Sequence, residues 1–209
     1  MTAGNDVRRI GEEGLYQHLT EHNGKVLAAC RFQTIVTTDP HSYNTLKNEY
    51  SEFGARYTVE HASSFLQRLI VSGRIRFGTT LKRRVAFHDP CHLGRYNRNF
   101  EPPRTVLKAL GTELTELPRA RDNSFCCGGG GGRVWLADAP GKERPSVNRV
   151  REAATIEGLE TLVVSCPKCM TMLEDAAKTI GSDRSFAVKE LIELVAEAMG
   201  LTESEAAAA

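Results

Sequence analysis

Five of the six cysteines in this chain of 209 residues form three groups that could bind one metal centre. Cys91 stands alone, Cys126 and Cys127 are adjacent, and Cys166 and Cys169 belong to a Cys-Pro-Lys-Cys motif. Thirty-four residues separate the first group from the second, and thirty-eight separate the second from the third. Thiolates select zinc, copper(I) or iron–sulfur clusters, and several thiolates at one point require a cation to offset their charge.

The adjacent cysteine pair distinguishes between these metals. A structural zinc site uses four ligands, commonly from two Cys-x-x-Cys motifs, whereas five thiols are present here. Neighbouring side chains of an extended segment point to opposite sides, so Cys126 and Cys127 chelate one small ion poorly. Two irons of a larger cluster can accept them more easily. The spacing therefore favours an iron–sulfur cluster, with zinc as the alternative.

A run of five glycines follows the cysteine pair, and without Cβ atoms its backbone can approach a bulky inorganic core. Gly128, Gly129 and Gly130 are the candidates to lie against the cluster and donate N–H groups to its sulfurs. A phosphate-binding loop is the competing interpretation. A P-loop ends with Gly-Lys-Ser or Gly-Lys-Thr. Here Arg133-Val134-Trp135 follows the glycines instead, so a phosphate-binding loop is not supported.

Polar residues near the cysteines are candidates to tune the centre. His88 and His92 flank Cys91 and could shape the reduction potential or relay protons, and His92 is a candidate cofactor-binding residue. A strand-end His88 that bonds only to backbone is an equal alternative. No residue is assigned a catalytic role. Three basic side chains could offset thiolate and sulfide charge: Arg95, Arg133 and Lys168.

The segments HDPCHLGRYN, SFCCGGGGGRVW and SCPKCMTMLEDA resemble the cysteine-rich CCG domain. That domain occurs in the B subunit of heterodisulfide reductase and in iron–sulfur subunits of lactate, glycolate and anaerobic glycerol-3-phosphate oxidation. The similarity is greatest to bacterial iron–sulfur oxidoreductases associated with flavin dehydrogenases. In the heterodisulfide reductase relatives, five cysteines hold a noncubane 4Fe–4S cluster. The resemblance therefore implies one 4Fe–4S cluster per chain, and leaves open whether it is noncubane or cubane. Its implied ligands are Cys91, Cys126, Cys127, Cys166 and Cys169.

The resemblance also implies a function. We expect an iron–sulfur electron-transfer subunit of a multi-subunit, flavin-dependent oxidoreductase, with a flavoprotein or a ferredoxin-type iron–sulfur subunit as partner. Family members often carry ferredoxin-type clusters upstream, so the chain is expected to be the carboxyl-terminal half of a longer architecture. Two alternatives stay open, a catalytic disulfide-reducing subunit and a structural zinc interaction module. Whether the chain is itself an enzyme is therefore undecided.

An internal repeat predicts the elements that position the cysteines. At an offset of 127 positions, TIVTTDPHSYNTL from Thr34 aligns with TLVVSCPKCMTML from Thr161. Alternating strand and helix patterns predict an α/β fold with largely parallel strands, in which two related repeats pack as one compact body. A helix is predicted over 102–110, and residues 73–83 are the expected connection. Strands are predicted at 34–38, 56–60, 84–88, 113–117, 161–165 and 186–188.

The first repeat has lost the cysteine motif. Asp39 and Ser42 stand where Cys166 and Cys169 stand in the second repeat. Asp39, His41 and Ser42 make a weak alternative metal set because serine is a poor ligand, so the first repeat is predicted to be a scaffold.

The predicted boundaries are therefore a degenerate repeat over 1–78, a cluster-binding CCG domain over 79–200 and a disordered tail over 201–209. Cys30 follows an apolar run outside the motif and is expected to be buried.

Composition limits the remaining possibilities. The chain is 41% hydrophobic and 25% charged, which is typical of a folded globular protein. A net charge of +1 argues against electrostatic attraction to nucleic acid or anionic membrane as its main role. No apolar run approaches the roughly 20 residues that a membrane-spanning helix needs, and no signal peptide is evident. The expected location is the reducing cytoplasm, where disulfides are rare.

Overall fold

A computed structural model describes residues 2–137 and 141–201 of the chain. The predicted tail lies outside the described residues from position 202 onward, and residues 138–140 lie outside them as well. Within the described residues the chain forms a mixed α/β fold whose strands pair in parallel in two sheets. The predicted fold class is confirmed.

The first repeat contains a two-stranded parallel sheet in which Ile35 pairs with Val59. A π-helical turn over Thr45–Glu49 and a 3-10 turn over Tyr50–Phe53 extend its crossover helix. Its strands and α-helices are α1 (Asn5–Arg9), α2 (Glu13–Ala28), β1 (Ile35–Thr37), α3 (Pro40–Asn44), β2 (Val59–His61) and α4 (Ala62–Val71).

The second repeat contains a four-stranded parallel sheet. Its elements in chain order are β3 (Arg84–Phe87), α5 (Glu101–Ala109), β4 (Glu113–Thr115), α6 (Pro145–Ala154), β5 (Thr161–Val164), α7 (Pro167–Ile180), β6 (Ala187–Glu190) and α8 (Leu191–Ala198). The strand order is β4-β3-β5-β6, so the central strands β3 and β5 are neighbours. Both lead directly into cysteine-bearing loops, and their carboxyl ends bring Cys91 and Cys166 to one edge of the sheet.

Both faces of the larger sheet are covered. Side chains alternate along a strand, so Val85 and Phe87 pack on one face with α5 and α8, while Ala86 packs on the other with α6 and α7. Leu66 of α4 joins the first of these clusters. The two repeats therefore share a hydrophobic core.

The repeat found in the sequence is present in the structure. Helices α3 and α7 begin at Pro40 and Pro167, at the offset of 127 positions. Helices α4 and α8 begin at Ala62 and Leu191, so the second repeat carries two additional residues before its last helix.

The predicted strands all overlap observed ones, and the predicted helix 102–110 is observed at 101–109. The expected connection 73–83 contains no helix or strand, and Phe77 and Leu81 within it pack against the core. In the part of the chain that the structure describes, no helix is both long and apolar enough to cross a membrane.

Candidate metal centre

The loop that carries Cys91 is fixed by a buried ion pair. Asp89 follows β3 and accepts two hydrogen bonds from the guanidinium of Arg104, at 2.8 and 2.9 Å. It also accepts the backbone N–H of Arg121 at 2.8 Å. A bidentate pair of this kind restricts geometry strongly, so the loop holds Cys91 at the end of the sheet.

The glycine run brings backbone close to the second cysteine group. Gly128 donates its N–H to Cys126 Sγ at 3.2 Å and has a φ of +82°, a conformation that favours glycine. A Cβ on Gly129 would lie 2.8 Å from Met172 Cγ, so a side chain there would collide with α7. A Cβ on Gly130 would meet no atom within 4 Å. The Gly128 N–H therefore bonds to a cysteine sulfur, whereas donation from Gly128, Gly129 and Gly130 to the sulfurs of a cluster stays a prediction.

The third cysteine group begins the longest helix of the second repeat. Cys166 is the N-cap of α7 in an extended conformation, and its side chain makes no capping hydrogen bond. Pro167 occupies the first helical position, where its missing N–H has no cost. A helix N-terminus stabilises nearby thiolates, so this position suits an anionic cysteine.

The five motif cysteines come together. Cys169 donates its thiol to Cys127 Sγ at 3.4 Å. Burial raises the pKa of the Cys91 thiol, and the charges of Cys127 and Cys166 raise it further, which places all three groups within electrostatic range. Cys126 interacts with both Cys127 and Cys91. All the cysteines, which lie in the described part of the chain, are free thiols.

Hydrogen bonds divide these thiols into two kinds. Donation from Cys126 and Cys169, with His88 beside them, holds the pKa of Cys127 far below its usual range. Polar contact with the Cys169 side chain, and with His41, lowers the pKa of Cys166 to about 6. The same hydrogen bonds, together with burial, raise the pKa of Cys126 and that of Cys169. Cys127 and Cys166 thus favour the thiolate form. The other motif thiols keep their protons until a cation displaces them.

The residues present fit an iron–sulfur cluster. The donor set is purely sulfur at the motif positions, which suits iron or another soft metal. His92, which contacts Cys91, has a buried Nε2 atom without a hydrogen-bond partner. Buried polar groups are rarely left unpaired, so this atom is consistent with a polar group in the site.

His88 and His92 both lie against cysteines. His88 is 1% exposed, and a ring nitrogen of it lies within 4.8 Å of the Sγ atoms of Cys127 and Cys169. His92 Nδ1 is 3.3 Å from Cys91 Sγ, and burial lowers the pKa of His92 to about 3. The His92 imidazole is therefore neutral near neutral pH, and both imidazoles are packed beside a candidate ligand.

The first repeat also reaches the site, which the sequence analysis did not predict. A carboxylate oxygen of Asp39, a ring nitrogen of His41 and Cys166 Sγ lie within 4.8 Å of one another. The repeat alignment contained a signal for this, because Asp39 is the counterpart of Cys166 in the repeat. The first repeat therefore places two polar side chains beside a cysteine of the second repeat, and its role as a scaffold stays a prediction.

Other singled-out residues lie farther from the cysteines or bond elsewhere. Arg95 donates to the carbonyl of Ser124 at 2.7 Å and still lowers the pKa of Cys91 through its charge. Lys168 forms an ion pair with Asp6. Arg133 donates to the backbone carbonyls of its own loop. Trp135 is 78% exposed.

The expectation that Cys30 is buried is wrong. Cys30 lies just beyond the end of α2, and its thiol is exposed there. The apolar run before it belongs to a helix that leaves Val26 exposed as well, so local hydrophobicity did not indicate burial.

Comparison with known proteins agrees with this site. Residues 85–174 match the family model of the cysteine-rich CCG domain. The chain is 37% identical over 198 residues to the probable iron-sulfur-binding oxidoreductase FadF of Bacillus subtilis, covering 94% of this chain and 28% of that protein. It is 36% identical over 201 residues to EtfAB:quinone oxidoreductase of Syntrophomonas wolfei, covering 94% of this chain and 28% of that protein.

A third relative represents a different activity. The chain is 36% identical over 148 residues to the D subunit of dihydromethanophenazine:CoB--CoM heterodisulfide reductase from Methanosarcina acetivorans, covering 70% of this chain and 35% of that protein. The chain thus spans about a third or less of the length of these relatives. Residues 85–174 form a cysteine-rich CCG domain, and the chain is homologous to part of FadF, of EtfAB:quinone oxidoreductase and of the D subunit of heterodisulfide reductase.

Proposed function

We propose that the chain is an iron–sulfur electron-transfer subunit of a multi-subunit, flavin-dependent oxidoreductase. The observation that carries this proposal is the meeting of free thiols from three distant loops at one sheet edge. One 4Fe–4S cluster per chain, either noncubane or cubane, would supply one-electron storage there. Its ligands would be Cys91, Cys126, Cys127, Cys166 and Cys169.

The surrounding residues support this role in distinct ways. Gly128 supplies an N–H to a ligand sulfur, and Gly129 lets the backbone pass α7 closely. Donors of this kind stabilise the more negative, reduced state. The Asp89–Arg104 pair holds the Cys91 loop in place. The site is therefore rigid, which suits electron transfer because little has to rearrange when charge arrives.

We further propose that a flavoprotein or a ferredoxin-type iron–sulfur subunit exchanges electrons with this chain. The name of EtfAB:quinone oxidoreductase supports a flavoprotein as donor and a quinone as acceptor for that relative. Cys91 and Cys126 are the motif cysteines that are not fully buried, so electrons would pass on their side. Nucleic acid is not an expected partner. We place the protein in the cytoplasm, where its free thiols would remain reduced.

The repeat boundary near residue 78 stays part of the proposal. It falls within the connection between α4 and β3, with the degenerate repeat over 1–78 and the cluster-binding repeat over 79–200. Because Leu66 shares a core with β3, we expect both repeats to unfold in one transition.

Metal and sulfide analysis of anaerobically purified protein tests the proposal. We expect about four irons and acid-labile sulfide per chain, with an EPR signal in one oxidation state. Stoichiometric zinc without sulfide would identify the structural zinc module instead. Native complexes can then be separated by size, where we expect the chain to elute with a flavoprotein. A free species of 23.0 kDa that carries all the activity would contradict the partner proposal.

Catalytic disulfide reduction is the second candidate, and the similarity to the D subunit of heterodisulfide reductase favours it. Adding a disulfide to the reduced, cluster-containing protein separates the two functions, because cleavage of the S–S bond consumes two electrons that the cluster must supply. A catalytic centre should give a new paramagnetic, thiol-bound signal, whereas an electron-transfer centre should leave the spectrum unchanged.

A further inference from the structure

His41 belongs to the repeat that has lost its cysteines, yet it faces a cysteine of the other repeat. A ring nitrogen of His41 lies within 4.8 Å of Cys166 Sγ, and His41 is 4% exposed. Ligand atoms around one metal ion lie at such separations, because each bond to it is about 2.0–2.3 Å long. The two residues come from helices that begin at equivalent positions of the two repeats.

The hydrogen bonds of His41 leave one nitrogen able to bind a metal. His41 Nδ1 lies 3.2 Å from Asn5 Oδ1, while the amide nitrogen of Asn5 donates to Thr45 Oγ1 at 3.2 Å. The carbonyl oxygen of Asn5 therefore faces His41, so Nδ1 carries the proton and Nε2 keeps its lone pair. Histidines that bind metals are usually oriented in this way by a second hydrogen bond.

His88 provides an internal comparison because it has the opposite tautomer. Its Nδ1 accepts a hydrogen bond from Arg149 Nε at 3.1 Å, so the proton is on Nε2. Arg149 is fully buried and is held in turn by Glu152 at 2.8 Å. The Nε2–H group of His88 can therefore donate to the sulfur of Cys127. Because Nε2 carries the proton, it has no lone pair to offer a metal.

The carboxylate of Asp39 lies near Cys166, but its oxygens already accept hydrogen bonds from the protein. Its carboxylate caps α3 by accepting the backbone N–H groups of His41 and Ser42, each at 3.0 Å, and the Ser42 hydroxyl at 2.7 Å. In the second repeat the capping position is taken by Cys166, which makes no capping bond. His41 is also restrained by His92, whose ring centroid is 4.0 Å away.

We infer that His41 is a ligand of the metal centre, binding iron through Nε2 beside Cys166. This inference rests on the proposed iron–sulfur cluster. The bond needs no oxidant and releases no proton, because a neutral imidazole donates its Nε2 lone pair and keeps its Nδ1 proton, which stays hydrogen-bonded to Asn5 Oδ1. The first repeat, which has lost its own cysteine motif, would thus supply one ligand to the cluster of the second repeat.

Pulsed EPR of the reduced protein, with and without ¹⁵N-labelled histidine, tests this inference. We expect a strong nitrogen coupling of iron-bound imidazole that changes with the isotope. It should disappear in His41→Cys, which keeps a metal-binding side chain and should keep the iron. The exposed His18 on α2 offers a matched control, and His18→Ala should retain the coupling.

Two results would overturn the inference while leaving the cluster proposal intact. One is a protein that contains iron and sulfide but shows no strong histidine coupling, and the other is a coupling that persists in His41→Cys. If His41→Cys fails to hold iron, variants of the other three buried histidines decide by elimination, namely His61→Asn, His88→Gln and His92→Phe. All three variants must keep the nitrogen coupling, and its loss in any of them assigns the ligand to that histidine. Absence of iron and sulfide from the wild-type protein would instead reject the proposed function.

Discussion

The thiol of Cys169 donates to the sulfur of Cys127 across 3.4 Å, although the two residues are 42 positions apart in the chain. One lies at the start of α7 and the other in the loop before the glycine run. The hydrogen bond joins the second and third cysteine groups directly, from sulfur to sulfur. It also defines where a thiolate is prepared, because it lowers the pKa of Cys127 and raises that of Cys169.

Replacing His88 should make the reduction potential of the cluster more negative. His88→Gln would weaken the N–H donation to Cys127, and this donation stabilises the reduced state. A shift of several tens of millivolts is expected, since a tenfold change in a one-electron equilibrium corresponds to about 59 mV. EPR-monitored redox titration measures it, with His18→Ala as the control. An unchanged or more positive potential would show that His88 does not act on the cluster.

Asp39→Ala should weaken the fold without removing iron. The substitution deletes the cap of α3, which typically lowers the free energy of unfolding by about 1 kcal/mol. Asp39→Ser retains a capping oxygen and should recover most of that loss. Urea denaturation and iron analysis of the same samples provide the measurements. A large loss of iron in Asp39→Ala would identify the carboxylate as a ligand, in conflict with its capping role.

The neighbouring glycines Gly129 and Gly130 should respond differently to alanine. A Cβ at Gly129 collides with Met172 on α7, so Gly129→Ala should displace the Cys127 loop and reduce iron content. Overpacking of this kind commonly costs about 1–3 kcal/mol. Gly130→Ala places its methyl group where no protein atom lies within 4 Å, and it should retain its iron. If Gly130→Ala loses iron while Gly129→Ala does not, the cluster lies on the other side of the loop.

His61 should make stability fall as the pH is lowered. Burial lowers the pKa of His61 to about 4 in the folded protein. In the unfolded chain His61 takes up a proton near pH 6.5, whereas in the folded protein it does so only near pH 4. Stability is therefore complete above pH 6.5 and declines between these values. The decline reaches about 3 kcal/mol in total, of which about 1 kcal/mol is lost by pH 5.5.

His61→Asn is the test of this pH dependence. His61 Nδ1 accepts the N–H of Ser63 at the start of α4, and asparagine also caps helices well. We expect the free energy of unfolding, measured by urea denaturation, to differ less between pH 7.5 and pH 5.5 for the variant than for the wild type. Equal differences would mean that His61 does not control the acid response.

The sequence was most informative where the pattern was local. The alternating strand and helix patterns located the six strands and the helix at 102–110 correctly. The two additional residues before α8 were not foreseen, because short strands tolerate small shifts in register. The π-helical turn at Thr45–Glu49 also had no recognisable local pattern.

The site was predictable through its cysteines but not through their neighbours. Contacts such as His41 with Cys166 and Arg149 with His88 join residues from separate elements. No local sequence pattern specifies them, since they arise when two strand ends meet across the repeat interface. The misjudged exposure of Cys30 has a similar cause, because burial depends on what packs against a helix.

Iron and sulfide content across single cysteine variants tests the central claim most directly. We expect Cys→Ser at any of the motif positions, from Cys91 to Cys169, to lower iron and sulfide together under anaerobic conditions. Cys30→Ser is the matched control and should match the wild type, because Cys30 is exposed and outside the motif. Full iron and sulfide in Cys91→Ser or Cys127→Ser would contradict the claim that thiols from all three loops bind one iron–sulfur cluster.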